Sequence, residues 1–444
     1  MHKVTQKYLE QQLFTNETNY YVDTARDLFN ASPVACDLTT KILIIGGGFA
    51  GLATAMGLYE RDEKSVILIE AEQIGFGASG RNGGFVFGGF SLGEESLVKK
   101  LGPDDARWAY GLTTQAVNKI RQRIKQHSIH CEISESGVIL ANWFNESRAI
   151  RAKQEFMRSH FDVAWSWLDS NQIRQEINSS RYFNGLFEQD AFHFHPLKYA
   201  QGLAKFLSEN GVNLFEKSPA QMIKASHKKG FEVRTPGGTI KAEQVVIACG
   251  GYIGNLYRPV SRAILPISTY VMVTEPLGDA LSACLPTQAA IYDTRFAFDY
   301  YRRLPDQRLL WGGRISTRAR APKAVQALLL KDLEKVFPTL KGARIDYAWG
   351  GLMGYPMHKM PLIGQTQPGL WHVTGFGGHG VGPTTAGGEL LASAILGKSL
   401  AYQRLACFDN RQAMGVLGLL GSQLTYWTYQ GLDWLKEKQH DLKH

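Results

Sequence analysis

The sequence predicts an α/β (α+β) chain in which a discontinuous Rossmann-like domain is interleaved with a second domain built on a mixed or antiparallel β-sheet with helices. Three observations carry this. Residues 41–70 read as strand, glycine turn, helix and strand, segments of the same texture recur near the middle and the end, and a β-branched, aromatic stretch over 260–320 lies between them. A chain of 444 residues is long enough for two or three units with sizeable cores. The expected division is an N-terminal arm over 1–36, a nucleotide-type domain from 37–95, 190–260 and 345–400, a second domain from 96–189 and 261–344, and a helical tail over 401–444.

Taken in order, KILII is a strand, GGGFAG a turn, LATAMGLYERD a helix and SVILIE a second strand. Ile42 to Tyr59 is eighteen residues without a charge, but its glycines and its strand-then-helix texture argue against a membrane span. Gly46, Gly48 and Gly51 form G-x-G-x-x-G directly after the strand: the first permits the tight turn, the second lets a pyrophosphate approach and the third lets helix and strand pack. Phe49 and Ala50 then begin a helix whose free N–H groups suit phosphate. Glu70, followed by Ala71, closes the second strand, where a carboxylate accepts from ribose hydroxyls and repels a 2′-phosphate, which disfavours NADP. The unit alone does not separate NAD from FAD. After it comes EAEQIGFGASGRNGG, so rich in glycine that its backbone is expected to run close to a ligand.

Residues 104–127 read as a helix, with Val117, Ile120 and Ile124 on the buried stripe and Lys119, Arg121, Arg123 and Lys125 on solvated faces. HPLKYAQGLAKFLSENGVNLFE is a helix and a strand, EVRT and TIKAEQVVIACGG are strands, ISTYVMVTEPLG and FAFDYYRRLPDQRLLWGGR belong to the sheet, and GLWHVTGFGGHGVGPTTAGGELLASAIL is strand, loop and helix. The net charge of +9 comes without a basic stripe interleaved with aromatics, so nucleic acid is not an expected partner. The five cysteines show neither CxxC nor zinc spacing, which predicts reduced thiols and no metal site. The polar start MHKVTQKYLEQQLF lacks the apolar stretch of a signal peptide, so a cytoplasmic protein is expected.

IGFGASGRNGG, with NYYVDTA, HPLKYAQGLA, QVVIACGGY, TYVMVTEPL, DYYRRLPDQRLLWGG, IDYAWGGLMGYPMHKMPLIG and GFGGHGVGPTTAGGELLASAI in this order, resembles the D-amino-acid oxidase-like family of FAD-dependent oxidoreductases. The resemblance implies FAD lying extended, with its adenine end at the first unit and its flavin ring facing the second domain. It assigns Ala78, Ser79, Arg81, Asn82, Gly83 and Gly84 to the pyrophosphate and flavin, and Ala220, Cys249 and Gly250 to the cofactor's flank. Gly377, Gly378, His379, Gly380 and Val381 fall to the pyrimidine edge of the ring, ahead of a helix expected from Pro383; His379 reads equally as a structural histidine. Cys249 stands where a threonine is common and reads as a small buried thiol.

Three departures from relatives narrow the chemistry. The opening loop has no His and residues 340–365 have no Cys, so FAD is expected to be non-covalent. Gly351-Leu352-Met353-Gly354 lacks the arginine that clamps a substrate carboxylate in some relatives, although Arg302 or Arg303 remains as an alternative clamp. Leu310 falls at the place of a lysine linked to oxygen reactivity, leaving O2 or a quinone as acceptor. The implied activity is oxidation of a C–N bond by hydride transfer to flavin N5 followed by imine hydrolysis. An amine, such as a polyamine derivative carrying a γ-glutamyl group, is favoured over an amino acid. The alternatives are an amino acid oxidase or dehydrogenase of glycine or D-amino acid type, and a non-catalytic FAD-binding interaction protein.

No catalytic residue is assigned. Tyr270, Tyr300, Arg302, Tyr355 and His358 are candidate pocket walls, each equally explicable by packing. In the tail, Leu417, Leu420, Leu424, Trp427 and Trp434 share one helical stripe, followed by Lys436-Glu437-Lys438. That stripe packs on the protein's own body or docks at the inner face of a membrane.

Overall fold

The computed structural model of the chain describes residues 19–226, 229–317 and 322–441; the start of the arm, 1–18, and the end of the tail, 442–444, lie outside these residues. Its first sheet runs, in order, Leu362–Gln367, Leu370–Thr374, Gly238–Ile247, Leu38–Ile45, Val66–Ile69 and Asn213–Phe215, with Phe231–Thr235 and Met222–Ala225 added as an antiparallel flap. The five strands from Leu370–Thr374 to Asn213–Phe215 are parallel. Their interiors are continuous apolar runs because both faces are covered. On one face lie the helices Phe49–Tyr59, Pro103–Gln126, Pro196–Glu209 and Val381–Ile395. Loop and turn residues such as Ile253, Val260 and Ile264 fill the other face.

The second sheet has the order Ile345–Tyr355, Leu265–Thr274, Leu309–Ser316, Tyr300–Arg303, Ala290–Asp293, Val138–Ala141, Gly185–Glu188 and Ser166–Leu168. All its pairings are antiparallel except Ala290–Asp293 with Val138–Ala141. Ile345–Tyr355, grouped by sequence with 345–400, is thus a strand of this sheet. It pairs with Leu265–Thr274 over almost its whole length, and that long-range ladder decides its place. One face of the sheet packs on the helix Pro322–Val336 through Val325, Leu329, Leu333 and Val336. The other faces a cluster containing Tyr20, Tyr21, Leu197 and Leu310.

Two helices set the geometry of the first sheet's edge. Phe49–Tyr59 and Val381–Ile395 touch backbone to backbone: a Cβ on Gly388 would lie 2.7 Å from the Ala53 carbonyl carbon, and one on Gly57 would lie 2.9 Å from the Ala392 Cβ. The run of small residues in GPTTAGGELLASAI is therefore a packing surface. Arg123 locks the pair from a third helix. It is fully buried, donates Nε and Nη2 to Glu60 at 2.9 and 3.0 Å, and also reaches Glu389. The sequence reading put Arg123 on a solvated face with Lys119, Arg121 and Lys125. It is the exception, because carboxylates from two other helices converge on it.

The N-terminal arm is also revised from Asn19 onwards. Asn19 caps the short helix Tyr20–Thr24 by accepting from the Val22 N–H at 2.9 Å, and Tyr20 and Tyr21 are buried. Further on, Gln201 accepts from the Phe29 N–H (2.6 Å) and Glu216 from the Ala31 N–H (3.0 Å). Aromatic anchors and side-chain acceptors on distant elements fasten a segment that is polar overall. The five cysteines are all free, with Cys36 and Cys407 exposed.

The tail forms one helix, Gly415–Asp441. Its inward face carries Gln423, which accepts from the Thr317 N–H at 3.1 Å, Tyr426, which accepts from the Ile315 N–H at 3.3 Å, and Asp433, which accepts from the Phe296 N–H at 2.9 Å. The stripe of Leu417, Leu420, Leu424, Trp427 and Trp434 is turned outward, each at least 52% exposed. Of the two expectations for that stripe, packing on the protein's own body is thus not met, because the polar residues of the opposite face make those contacts. Among the described residues no helix is long and apolar enough to cross a membrane.

Removing Arg123 takes from the half-buried Glu60 and Glu389 the cation they share, leaving Glu60 with Lys119 and Glu389 with Arg61. Arg123→Met is expected to cost about 3 kcal/mol and to lower the melting temperature by several degrees, read by differential scanning fluorimetry.

Candidate functional site

Because the five central strands of the first sheet are parallel, their carboxyl ends lie along one edge. Ligands bind at such edges in open α/β sheets. Gly46 follows one strand, Glu70 the next, Cys249 and Gly250 a third, and the loop Gly375–Gly380 a fourth. Ala220 lies just beyond the fifth, partly buried, and Ala71 is exposed beside Glu70.

At Gly46–Gly51 the close approaches are severe. A Cβ on Gly51 would lie 1.9 Å from the Gly46 carbonyl oxygen, and Gly46 itself sits at φ +116°, 2.7 Å from the Ala248 oxygen at the place its Cβ would take. Gly48 starts the helix without a capping side chain, and Phe49 donates its N–H to Ser79 Oγ at 2.8 Å. Ala50 is buried behind it. Glu70 accepts from the Gly47 N–H at 2.6 Å and from the Glu72 N–H at 3.1 Å. Burial pushes its carboxyl up from the usual range, while these N–H groups pull it down. The remaining lone pairs are free to accept from ribose hydroxyls.

The loop after Glu70 is held from within. Ala78–Gly80 is one 3-10 turn, Asn82 Nδ2 donates to the oxygens of Ala78 (3.0 Å) and Ser79 (2.8 Å), and its Oδ1 accepts from the Gly84 N–H (2.8 Å). Arg81 donates Nε to Phe76 O at 2.8 Å and Nη1 to Gly350 O at 3.2 Å, while Trp349 donates its indole N–H to Arg81 O at 3.0 Å. Gly83 is opposed by the ring of Tyr300, 2.6 Å from where a Cβ would stand. Gly84, at φ +81°, would drive a Cβ to 2.1 Å from the Phe194 oxygen.

The terminal glycine loop closes the other end. Gly377 donates to Gly354 O at 2.9 Å, and His379 donates its N–H to Ser91 Oγ at 3.0 Å. His379 Nε2 lies 3.3 Å from Phe87 O, and burial lowers its pKa. Tyr355 is packed on the same loop, its hydroxyl 2.7 Å from the position of a Gly378 Cβ. The helix begins at Val381, two residues earlier than expected, with Gly380 as an N-cap that has no side chain to bond. This edge therefore presents two glycine-capped helix N-termini, each offering N–H groups and a partial positive charge. Cys249 donates its thiol to Ile45 O at 3.4 Å and is pushed up to about 12 by burial, which makes it an inert packing thiol.

The five candidate wall residues are not brought together. Tyr300 occupies the slot between Gly83 and Gly312, and Tyr355 stands at the terminal loop. Tyr270 points to the opposite face of its sheet, among Trp143, Met272 and Trp311. The period of two along a strand separates it from Thr269 and Val271, which share the face of Tyr300. His358 serves a turn, its Nδ1 accepting from the Met360 N–H and its Nε2 donating to Asp409 O, both at 3.1 Å.

Arg302 is a clamp on the protein. Its guanidinium donates Nε to Gly83 O (2.7 Å) and Nη2 to Phe194 O (2.9 Å) and Tyr21 Oη (3.3 Å), with Nη1 facing His193 Nδ1 at 3.4 Å. Burial drives His193 down to about 3, so it stays neutral and accepts from that arginine. Arg303 is likewise spent, on Leu285 O and Ser282 Oγ at 3.0 Å each. The sequence reading missed Ser91, Tyr252 and Phe87. Tyr252 lies against the place of a Gly77 Cβ at 3.1 Å and accepts from the Leu352 N–H at 3.0 Å. Only its place in QVVIACGGY marks it in the sequence.

A model of the family described as DAO, FAD dependent oxidoreductase, matches residues 41–394. The chain belongs to this family. Among curated proteins, the family member is 32% identical to the probable oxidoreductase OrdL of Haemophilus influenzae over 410 residues, covering 90% of this chain and 92% of that one. It is also 32% identical to γ-glutamylputrescine oxidoreductase of Escherichia coli over 391 residues, covering 88% and 91%. Among solved structures, glycine oxidase from Bacillus cereus shares the fold with a TM-score of 0.69 at 19% identity, over 82% of this chain and 97% of that one. Glycine oxidase from Geobacillus kaustophilus does so at 0.69 and 22%, over 84% and 98%.

This FAD-dependent oxidoreductase is an enzyme whose sheet edge fits its cofactor. Its carboxylate at Glu70, its crowded glycines and its helix N-terminus without a capping side chain are groups of the kinds that ribose hydroxyls, a pyrophosphate and an anionic ring take.

Arg302→Lys keeps the charge but loses the fork that holds the loop. The dissociation constant for FAD, from fluorescence titration of apoprotein, should rise roughly tenfold. A substrate clamp would instead raise KM and leave FAD binding untouched.

Proposed function

We propose that this enzyme oxidises the C–N bond of an elongated amine, a polyamine derivative such as a γ-glutamylated diamine, rather than a simple α-amino acid. The observation that carries the reading is that the two candidate carboxylate clamps, Arg302 and Arg303, bond protein groups. Met353 stands where an arginine would grip the substrate, its sulfur 3.4 Å from the place of a Gly378 Cβ, and Arg302 and Arg303 are spent on protein groups. The surface beside Gly83 is instead aromatic, with Phe85 packed on Tyr300 at 5.6 Å and Phe87 stacked on Tyr292 at 5.5 Å. Such a wall holds methylenes and orients a neutral amine while excluding water.

FAD, when bound, supplies the hydride acceptor. In this reading Glu70 takes the ribose, and the loop from Ala78 to Gly84 passes the pyrophosphate. The N-terminus at Gly380–Val381 steadies negative charge at the pyrimidine edge. Tyr300 and Tyr355 flank the amine. No side chain of the loop is a His or Cys, so FAD is held without a covalent bond.

We further infer that the outward stripe of the tail helix rests on an anionic lipid surface, where a membrane-held acceptor would be within reach. Leu417, Leu420, Leu424, Trp427, Trp434 and Leu435 share it with Lys438, while Asp433 and Glu437 are turned to the body. Exposed indoles beside a cation match a helix lying in the headgroup layer.

Under anaerobic conditions, γ-glutamylated or free polyamines should bleach the flavin and glycine, sarcosine and D-alanine should not; bleaching by those three alone refutes the amine reading. Acid precipitation should release the yellow colour into the supernatant. Vesicles containing phosphatidylglycerol should sediment the protein, and Leu420→Glu with Leu424→Glu should weaken this at least roughly tenfold. Equal sedimentation of wild type and variant would exclude membrane docking.

A further inference from the structure

The N-terminal segment reaches the glycine loop through one residue of its short helix Tyr20–Thr24, and that helix is fixed at both ends. Asn19 caps its start. At its end Thr24 Oγ1 gives its hydrogen to Tyr20 O at 2.6 Å, and so takes the Nε2–H of His195 at 3.1 Å. His195 holds that tautomer because its Nδ1 accepts from the Lys198 N–H at 3.2 Å, and burial drives its pKa down to about 2. Further along, the Phe29, Ala31 and Val34 N–H groups bond Gln201, Glu216 and Ser218. Tyr21 is thereby carried to a set place inside the protein, fully buried.

Two ties hold the loop Ala78–Gly84 to the second sheet, and Tyr21 touches both. The first is Arg302, which bonds Gly83 O through Nε at 2.7 Å. Its Nη2 has two hydrogens, one for Phe194 O at 2.9 Å and one for the Tyr21 hydroxyl oxygen at 3.3 Å. Burial raises the pKa of that hydroxyl, so it meets the guanidinium as a neutral acceptor. The second tie is Trp349, whose indole N–H bonds Arg81 O at 3.0 Å. The Tyr21 ring stands edge-on to the Trp349 ring with 5.5 Å between centres, and the His195 ring lies 4.7 Å from it. Without the hydroxyl, one buried N–H of Arg302 loses its acceptor.

We propose that Tyr21 is a positioning residue for FAD: its hydroxyl fixes the fork of Arg302 and its ring fixes the indole of Trp349, so that the N-terminal segment sets the conformation of the loop Ala78–Gly84. The proposal rests on the reading that this loop passes the cofactor, and not on which amine is oxidised.

The test is a double-mutant cycle on the full chain with FAD as the probe. Apoprotein of wild type, Tyr21→Phe, Arg302→Lys and the two combined is titrated by fluorescence, and the visible circular dichroism of the flavin is recorded at saturating FAD. Tyr21→Phe should raise the FAD dissociation constant roughly fivefold and shift the flavin dichroism. In the Arg302→Lys background it should change neither, because both substitutions break the same contact. A merely structural role would lower the melting temperature of the apoprotein and leave the dichroism of bound flavin as in wild type. Tyr21→Leu, which also takes the ring from Trp349, should raise the constant roughly threefold beyond Tyr21→Phe. An unchanged constant in Tyr21→Phe, or an equal rise in both backgrounds, overturns the role of Tyr21 alone. Unchanged FAD binding by Arg302→Lys overturns the assignment of the loop to the cofactor. Should Arg302→Lys fail to fold, the flavin dichroism of Tyr21→Phe decides by itself.

Discussion

The rest of the structure depends on the Arg302 guanidinium. It rises from the second sheet and ends on the glycine loop of the first, bonding Gly83 O and Phe194 O while Phe194 returns its N–H to Gly84 O at 2.9 Å. A planar fork with fixed donors can hold two carbonyls in one geometry where a lysine could not. The loop Ala78–Gly84 is thereby registered to the strand that carries Tyr300, two residues before Arg302. Tyr21, from the N-terminal segment, adds its hydroxyl oxygen as a further acceptor. The glycine loop and the strand of Tyr300 are therefore set against each other by one buried group.

The first sheet's edge was legible in the sequence because its signals are local. Strand, G-x-G-x-x-G, helix and terminal acid follow each other within thirty residues, 41–70, and each has its own pattern. The small-residue block after Gly380 was equally readable as a helix, though its reason, contact with Ala53, was not. What stayed hidden is long-range. Arg302 and Gly83 are 219 residues apart, and Arg123 and Glu389 are 266 apart; nothing in a helical or strand period announces such meetings. Tyr270 shows the limit from the other side, since aromatic chemistry marked it but a bulge and a one-residue alternation turned it to the far face.

The arginines also explain why motif absence is informative here. Met353 alone leaves the carboxylate clamp unsettled, because Arg302 and Arg303 stand in the same sheet, two strands intervening. Both guanidiniums are turned to carbonyl, hydroxyl and imidazole partners of the protein itself.

The outward tail stripe has a further consequence, an optical one. Of nine tryptophans, Trp427 and Trp434 are more than half exposed, whereas Trp143, Trp165, Trp311, Trp349 and Trp371 are buried and Trp108 and Trp167 are partly covered. The red-edge, quencher-accessible part of the emission therefore belongs to one helix face. The protein carries an intrinsic probe of whatever that face touches, and no label is needed to read it.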